Sequence, residues 1–204
     1  MTIEQLQTKK KILIIGYGAE GKAAEAFLKT HCPHVELATA DAKDGEDYLA
    51  KQSEYEFAIK SPGVRPELVT IPYTTTTNIF FANAKGKIIG VTGTKGKSTT
   101  ATLIYEMLKK DEKEAFLGGN IGQPAVVFLD NLTDQSWTVL ELSSFQLQDI
   151  QYSPHIAVML MITSEHLDYH KDTAAYIDAK RNMLRFQKAD DFAILNRDYP
   201  ASNE

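Results

Sequence analysis

Residues 90–99 read Gly-Val-Thr-Gly-Thr-Lys-Gly-Lys-Ser-Thr. Glycines at this spacing let backbone N–H groups face one concave side and cradle phosphate oxygens. Lys97 is then placed to reach β/γ-phosphates, and Ser98 to bind Mg²⁺ through its hydroxyl. The strict G-x-x-x-x-G-K-[ST] pattern is broken, because Val91 occupies its first glycine position. The plainer reading is a Gly/Lys-rich surface turn. A second set, Gly16-x-Gly18-x-x-Gly21 with Asp41 downstream, satisfies the dinucleotide fingerprint and by itself equally suits an NAD-binding domain.

Other reactive side chains lie further on. Glu141 closes an apolar run at 137–142, where it is either a Mg²⁺ ligand beside the phosphate loop or a solvated strand-end carboxylate. Glu165, His166, Asp168 and His170 cluster. His-x-Asp-x-His is found in metal hydrolases, but a loop histidine is more often a hydrogen-bonding surface residue. Lys180 shares a helical face with Tyr176, Met183 and Leu184, at i−4, i+3 and i+4. A charged lysine on an apolar face is costly unless it snorkels to water.

The elements that must position these residues alternate. Apolar, β-branched runs at 11–15, 35–40 and 57–59 predict strands, as do 87–92, 115–117, 137–142, 155–162 and 192–196. Helical stretches are expected from the first glycine loop to about Lys29, at 45–52, from the second loop to about Lys110, and at 173–186. Leu103, Ile104, Met107 and Leu108 form the expected apolar face of the third. Residues 71–77, with four consecutive threonines, have no helical period and read as a connection or edge segment before a boundary near Lys85. Strands alternating with helices argue for parallel sheets covered on both faces. The pattern stops in mid-course after 194–196, with no capping element expected.

Composition bounds the rest. The 204 residues are 43% hydrophobic and 24% charged, ordinary for a globular chain and against disorder. A net charge of −5 argues against a nucleic-acid partner. The single cysteine, Cys32, forms no internal disulfide and fits a reducing compartment. The longest apolar run, 156–162, is far below the roughly 20 residues of a membrane span. The polar residues 1–11 are no signal peptide, so a cytoplasmic protein is expected.

The 92–99 segment resembles the T-G-[ST]-x-G-K-[ST]-T loop of the Mur ligase family. Glu141-Leu142-Ser143-Ser144-Phe145-Gln146-Leu147 resembles a segment of that family's D-glutamate-adding branch. Gly119-Asn120-Ile121-Gly122 and Ile162-Thr163-Ser164-Glu165-His166-Leu167-Asp168 are similar to two further family segments, in the same order. Lys95 departs from the pattern: it stands where the family usually has Asn, adding a cation.

The resemblance implies an α/β chain. A Rossmann-like domain at 1–84 would bind the UDP part of a UDP-muramoyl substrate. A P-loop ATPase-like central domain at 85–204 would be incomplete, with the C-terminal domain lacking. It implies an ATP-dependent ligase that adds D-glutamate to UDP-N-acetylmuramoyl-L-alanine through an acyl phosphate, for peptidoglycan precursor synthesis. Gly93, Thr94, Lys95, Gly96, Lys97, Ser98 and Thr99 would bind ATP. Gly18, Ala19, Glu20, Asp41, Ser61, Pro62, Gly63, Asn120 and His166 would contact substrate. Ser98, Glu141, His166 and Lys180 would hold two Mg²⁺, Lys180 as a carbamate formed with CO₂. Lys97, His166 and Lys180 would be the catalytic residues. His170 matches no fixed position and is read as structural. The expected partners are these small molecules, with no nucleic acid and no membrane, and the chain is expected to be a monomer. The competing readings are another Mur or folylpolyglutamate-type ligase, and a non-catalytic UDP-sugar or nucleotide-binding module.

Overall fold

Ile12, Leu13, Ile14 and Ile15 are all fully buried, which makes β1 (Lys11–Ile15) the centre of the first of two parallel sheets. A strand buried on both faces needs a continuous apolar run rather than an alternating one. The computed structural model describes residues 1–166 and 168–203; Leu167, part of the 162–168 segment, and Glu204 lie outside them. The chain divides into two units, Met1–Asn83 and Ala84–Glu204.

In the first unit α1 (Ile3–Gln7) starts from a Thr2–Gln5 capping box. After β1 come α2 (Ala19–His31), β2 (Glu36–Ala40), β3 (Phe57–Lys60), β4 (Tyr73–Thr74) and α3 (Thr76–Asn83). The sheet order is β2-β1-β3-β4, all parallel. Leu13, Ile15, Ala40 and Ala58 form a core cluster of the unit, and α2 buries Ala24, Phe27 and Leu28. Each large apolar side chain buried this way contributes about 1.5–3 kcal/mol.

One expectation fails here and one holds only in part. Residues 45–52 form no α-helix. Short 3-10 turns, Ala42–Asp44 and Ala50–Glu54, bracket it instead; Tyr48 and Leu49 pack on the core, a two-residue contact too short to hold a full helix. The 71–77 segment does supply an edge strand, β4, but its last threonines enter a helix, α3, because Thr76, Thr77, Asn78, Ile79 and Phe80 are buried and packing overrides weak propensity.

The second unit begins with β5 (Lys87–Thr92), α4 (Lys97–Lys110), β6 (Ala115–Gly119) and β7 (Trp137–Glu141). It continues with α5 (Ser144–Leu147), β8 (Ile156–Met159), α6 (Thr173–Arg181), β9 (Phe192–Leu195) and α7 (Pro200–Asn203). The sheet order β6-β7-β5-β8-β9 is again parallel, with β5 central. Ile89, Val91, Val139, Val158 and Ala101 form a core beneath α4. Ile104 and Leu108 pack against it, whereas Leu103 and Met107 point outward at 58% and 63% exposure. The apolar face of α4 is therefore narrower than the sequence suggests. α6 ends at Arg181 and tightens into a 3-10 turn, Asn182–Leu184, short of the expected Phe186. α7 follows β9, where no further element was expected. Among the described residues no helix is long and apolar enough to cross a membrane.

Candidate active site

A parallel sheet puts the carboxyl ends of its strands on one edge, so β5, β7 and β8 deliver their following loops together. The loop after β5 turns on two glycines in left-handed backbone, Gly93 (φ +151°) and Gly96 (φ +84°). A Cβ on Gly93 would lie 2.8 Å from the Leu160 Cβ. Gly96 caps α4 without a side chain over the helix start. The first N–H groups of that helix, at Lys97, Ser98 and Thr99, have no intrahelical acceptor and favour an anion. Lys97 Nζ donates to the Thr94 carbonyl at 3.0 Å, arching back over the loop.

Thr94 fastens the loop. It is buried, its N–H donates to Met161 O at 2.8 Å, and its hydroxyl accepts from Thr163 N at 2.9 Å. The same hydroxyl lies 3.1 Å from the Tyr176 hydroxyl. Lys95 points to Glu165 Oε1 at 2.8 Å, and that hydrogen bond holds the Glu165 carboxyl below the usual carboxylate range.

Ser98 Oγ donates to Glu141 Oε2 at 2.6 Å, and Asn120 Nδ2 donates to Glu141 Oε1 at 2.7 Å. Glu141 is buried, and β6 reaches it closely because Gly119 has no Cβ, which would stand 2.3 Å from the Glu141 carbonyl oxygen. A carboxylate and a hydroxyl are hard oxygen donors, so the Ser98–Glu141 pair fits Mg²⁺, which takes one or two carboxylates beside waters and phosphates.

His166 and Lys180 line a cavity of about 190 Å³ with Lys97 and Asn120. His166 holds a left-handed backbone (φ +56°), is half-exposed, and its ring lies 5.0 Å from that of Phe145. Such a φ is uncommon for a non-glycine residue and clusters at functional sites. Lys180 is 1% exposed; its Nζ donates to Gly93 O at 3.0 Å and lies 4.7 Å from the Tyr176 ring centre. Burial, reinforced by the Lys97 cation, pushes its pKa down to about 7. As an ammonium it has no lone pair for a metal, and as a neutral amine its nitrogen suits oxygen-seeking Mg²⁺ poorly. A second Mg²⁺ fits His166 and Lys180 only if the lysine acquires a carboxylate. Among the described residues no group of three or more His, Cys, Asp or Glu side chains gathers as a metal site.

Ser143, Ser144, Phe145 and Tyr176, which carry no site role on sequence alone, line the same cavity. Ser143 was detectable as the capping-box start of α5, with Gln146 as its partner. His170 is buried, its Nε2 2.9 Å from Ser144 Oγ, and burial pushes its pKa down.

The other predicted residues sit in the first unit. Gly16 has φ +84°, and a Cβ on Gly21 would lie 2.2 Å from the Gly16 carbonyl oxygen. Gly18 caps α2 and, with Ala19, is exposed. Glu20 accepts a hydrogen bond from the Thr76 hydroxyl. Asp41 accepts from Tyr17 N at 2.5 Å and Lys43 N at 3.1 Å, which pulls its carboxyl below the usual range. Its oxygens thus brace the glycine loop. Ser61 Oγ donates to Gly16 O at 2.6 Å, and Pro62 and Gly63 continue that turn.

Two parallel sheets, each followed at its carboxyl edge by a glycine loop, make this a mixed α/β protein of the class that binds ligands beyond its strand ends. The chain belongs to the Mur ligase family, the ligases of peptidoglycan precursors: the family model described as Mur ligase middle domain matches residues 91–204. It is similar to the UDP-N-acetylmuramoylalanine–D-glutamate ligase of Clostridium botulinum (strain Kyoto / Type A2), 33% identical over 96% of this chain and 48% of that protein. The ligase of the same name from Acetivibrio thermocellus is 37% identical over 90% of this chain and 41% of its own length. The chain spans about half the length of the curated relatives it matches. In fold it is similar to MurF from Acinetobacter baumannii, at a TM-score of 0.52 and 14% identity, covering 98% of this chain and 49% of that one.

Proposed function

We propose that this chain carries the UDP-substrate and ATP-binding portions of a D-glutamate-adding ligase, which acts on UDP-N-acetylmuramoyl-L-alanine. The observation that carries the reading is the Ser98–Glu141 pair at 2.6 Å beside the open start of α4. It sets a Mg²⁺-suited pair of oxygens against a phosphate-suited helix end. The 33–37% identity to ligases of that name supports the choice of amino acid.

In this reading residues 85–204 form a P-loop ATPase-like domain. The 93–96 loop and the α4 N–H groups take the ATP phosphates, and Lys97 swings from Thr94 O to the γ-phosphate. Ser98 and Glu141 hold one Mg²⁺. His166 and a carbamylated Lys180 hold the second. Neutral Lys180 adds to CO₂, forming an N–C bond and releasing one proton to solvent. When bound, the metals neutralise charge on the phosphates. Asn120 and His166 hold the substrate carboxylate in line for attack on the γ-phosphate, so the protein contributes positioning and electrostatics. The amine of D-glutamate then attacks the acyl phosphate, giving the amide and inorganic phosphate.

Residues 1–84 form the Rossmann-like, UDP-binding domain. Gly18, Ala19 and Glu20 meet the pyrophosphate at the start of α2, and residues 61–63 border the uridine. Asp41 shapes the loop through Tyr17. Thermal-shift titration with UDP-N-acetylmuramoyl-L-alanine and with NAD tests this half; stabilisation by NAD alone would restore the dehydrogenase reading. ADP release from ATP and Mg²⁺ that depends on the UDP substrate, and amide formation with D-glutamate over other amino acids, test the ligase.

A further inference from the structure

We infer that Lys60, fully buried at the end of β3, is a positioning residue that locks the 61–64 turn against Gly16 and so sets the shape of the first glycine loop. Its consequence for ligand affinity rests on the reading of residues 16–21 and 61–63 as a uridine diphosphate site.

An ammonium at 0% exposure is costly unless its donors are satisfied. Lys60 Nζ donates to Val64 O at 2.8 Å and to Ser61 O at 3.2 Å, and lies 6.0 Å from the Tyr73 ring centre. Both carbonyls belong to the turn that follows β3. In the strand ladder Lys60 pairs with Ile15, the residue before Gly16. The two residues drawn onto the ammonium are the two that press on Gly16. A Cβ there would lie 2.8 Å from Ser61 Cβ and 3.1 Å from Val64 Cγ2. Ser61 N also donates to Ile15 O at 2.8 Å, and Ser61 Oγ to Gly16 O at 2.6 Å. The path is continuous: ammonium, two carbonyls, the Ser61 hydroxyl, the Gly16 carbonyl, the loop. A lysine kept only for its aliphatic stem would be replaceable by methionine, because the stem fills the same space. What methionine removes is the pair of donors.

The test uses the 204-residue chain with Lys60→Met, Lys60→Arg and Ser61→Ala. Amide hydrogen exchange is read at Gly16, Ser61 and Val64, with β5 as an internal control, and UDP binding by calorimetry. Lys60→Met should speed exchange at Ser61 and Val64 at least tenfold, leave β5 unchanged, and weaken UDP at least tenfold. Lys60→Arg should recover most of the protection, because it keeps charge and donors. Ser61→Ala leaves Lys60 in place and should speed exchange in the 16–21 loop without loosening β5, a readout that direct uridine contact would not move, so it serves if the Met variant does not fold. Unchanged protection at Ser61 and Val64 in Lys60→Met, or unchanged exchange in the 16–21 loop in Ser61→Ala, would overturn the inference. If protection depends on Lys60 while the wild-type chain binds no UDP, the positioning role stands and the substrate reading falls.

Discussion

Lys180 Nζ donates to the Gly93 carbonyl oxygen at 3.0 Å, so α6 holds the first residue of the 93–96 glycine loop. The bond ties a buried amine to the backbone proposed to face phosphate. Its pKa of about 7 means that near neutrality the amine is partly uncharged, the form that reacts with CO₂.

The sign of the pH effect follows. Unfolded, the amine has an ordinary pKa near roughly 10.4. Below pH 7 both states are protonated and the full cost of burying the charge is present. Between pH 7 and 10 the unfolded state binds the extra proton, so stability rises with pH. Lys180→Met lacks this contribution. Its stability relative to wild type, from urea melts, should therefore fall between pH 6.5 and pH 9. A difference that stays flat across that range would mean the folded-state amine remains charged throughout.

Carbamylation has its own signature. With ¹³C-labelled bicarbonate, the wild-type chain should show a carbamate carbon resonance that Lys180→Met lacks. A spectrum identical in the two proteins would leave Lys180 as a buried helix residue only.

Lys97→Ala should weaken ATP by about 1.5–3 kcal/mol, the usual size of a charge-assisted contact. Calorimetry on the folded variant checks it; unchanged affinity would remove Lys97 from the phosphate site.

Ser98→Ala takes one donor from a buried carboxylate, which costs about 1–3 kcal/mol of stability. It should also flatten the Mg²⁺ dependence of ATP binding, as should Glu141→Gln. Full Mg²⁺ dependence in both would show that the ion sits elsewhere.

Two glycines of one motif should differ. Gly21→Ala forces a Cβ to 2.2 Å from the Gly16 carbonyl oxygen and should destabilise by about 1–3 kcal/mol. Gly18→Ala meets nothing within 4 Å and should melt like wild type, while weakening UDP if the loop binds pyrophosphate. Equal melting of the two variants would refute the close approach of α2 to β1.

What could be read from the sequence follows from where packing acts. β1 and β5 are legible because buried parallel strands are written as unbroken apolar runs, and the two glycine loops because each joins such a run to a helix. α3 was not legible: its threonines look like strand, and only burial makes them helical. The α4 face was half legible, since 103/107 and 104/108 are both spaced by four and the sheet alone selects Ile104 and Leu108. In the candidate site the Lys180 burial was foreshadowed by its apolar neighbours, but its bond to Gly93 was not. Nor was the anchoring of Thr94 to Thr163, a contact between segments distant in sequence.

The central place of β5 has a consequence for how the second unit comes into being. One neighbour, β7, begins at Trp137, and the other pairs Ile156 with Ile89 far downstream. While the nascent chain emerges from the ribosome, the central strand of the unit is made well before either flank that will cover it. Long-range parallel pairing is slow to form and leaves such strands open to wrong partners. The fold therefore asks most of the cell's chaperones in the interval between the synthesis of Thr92 and that of Met159.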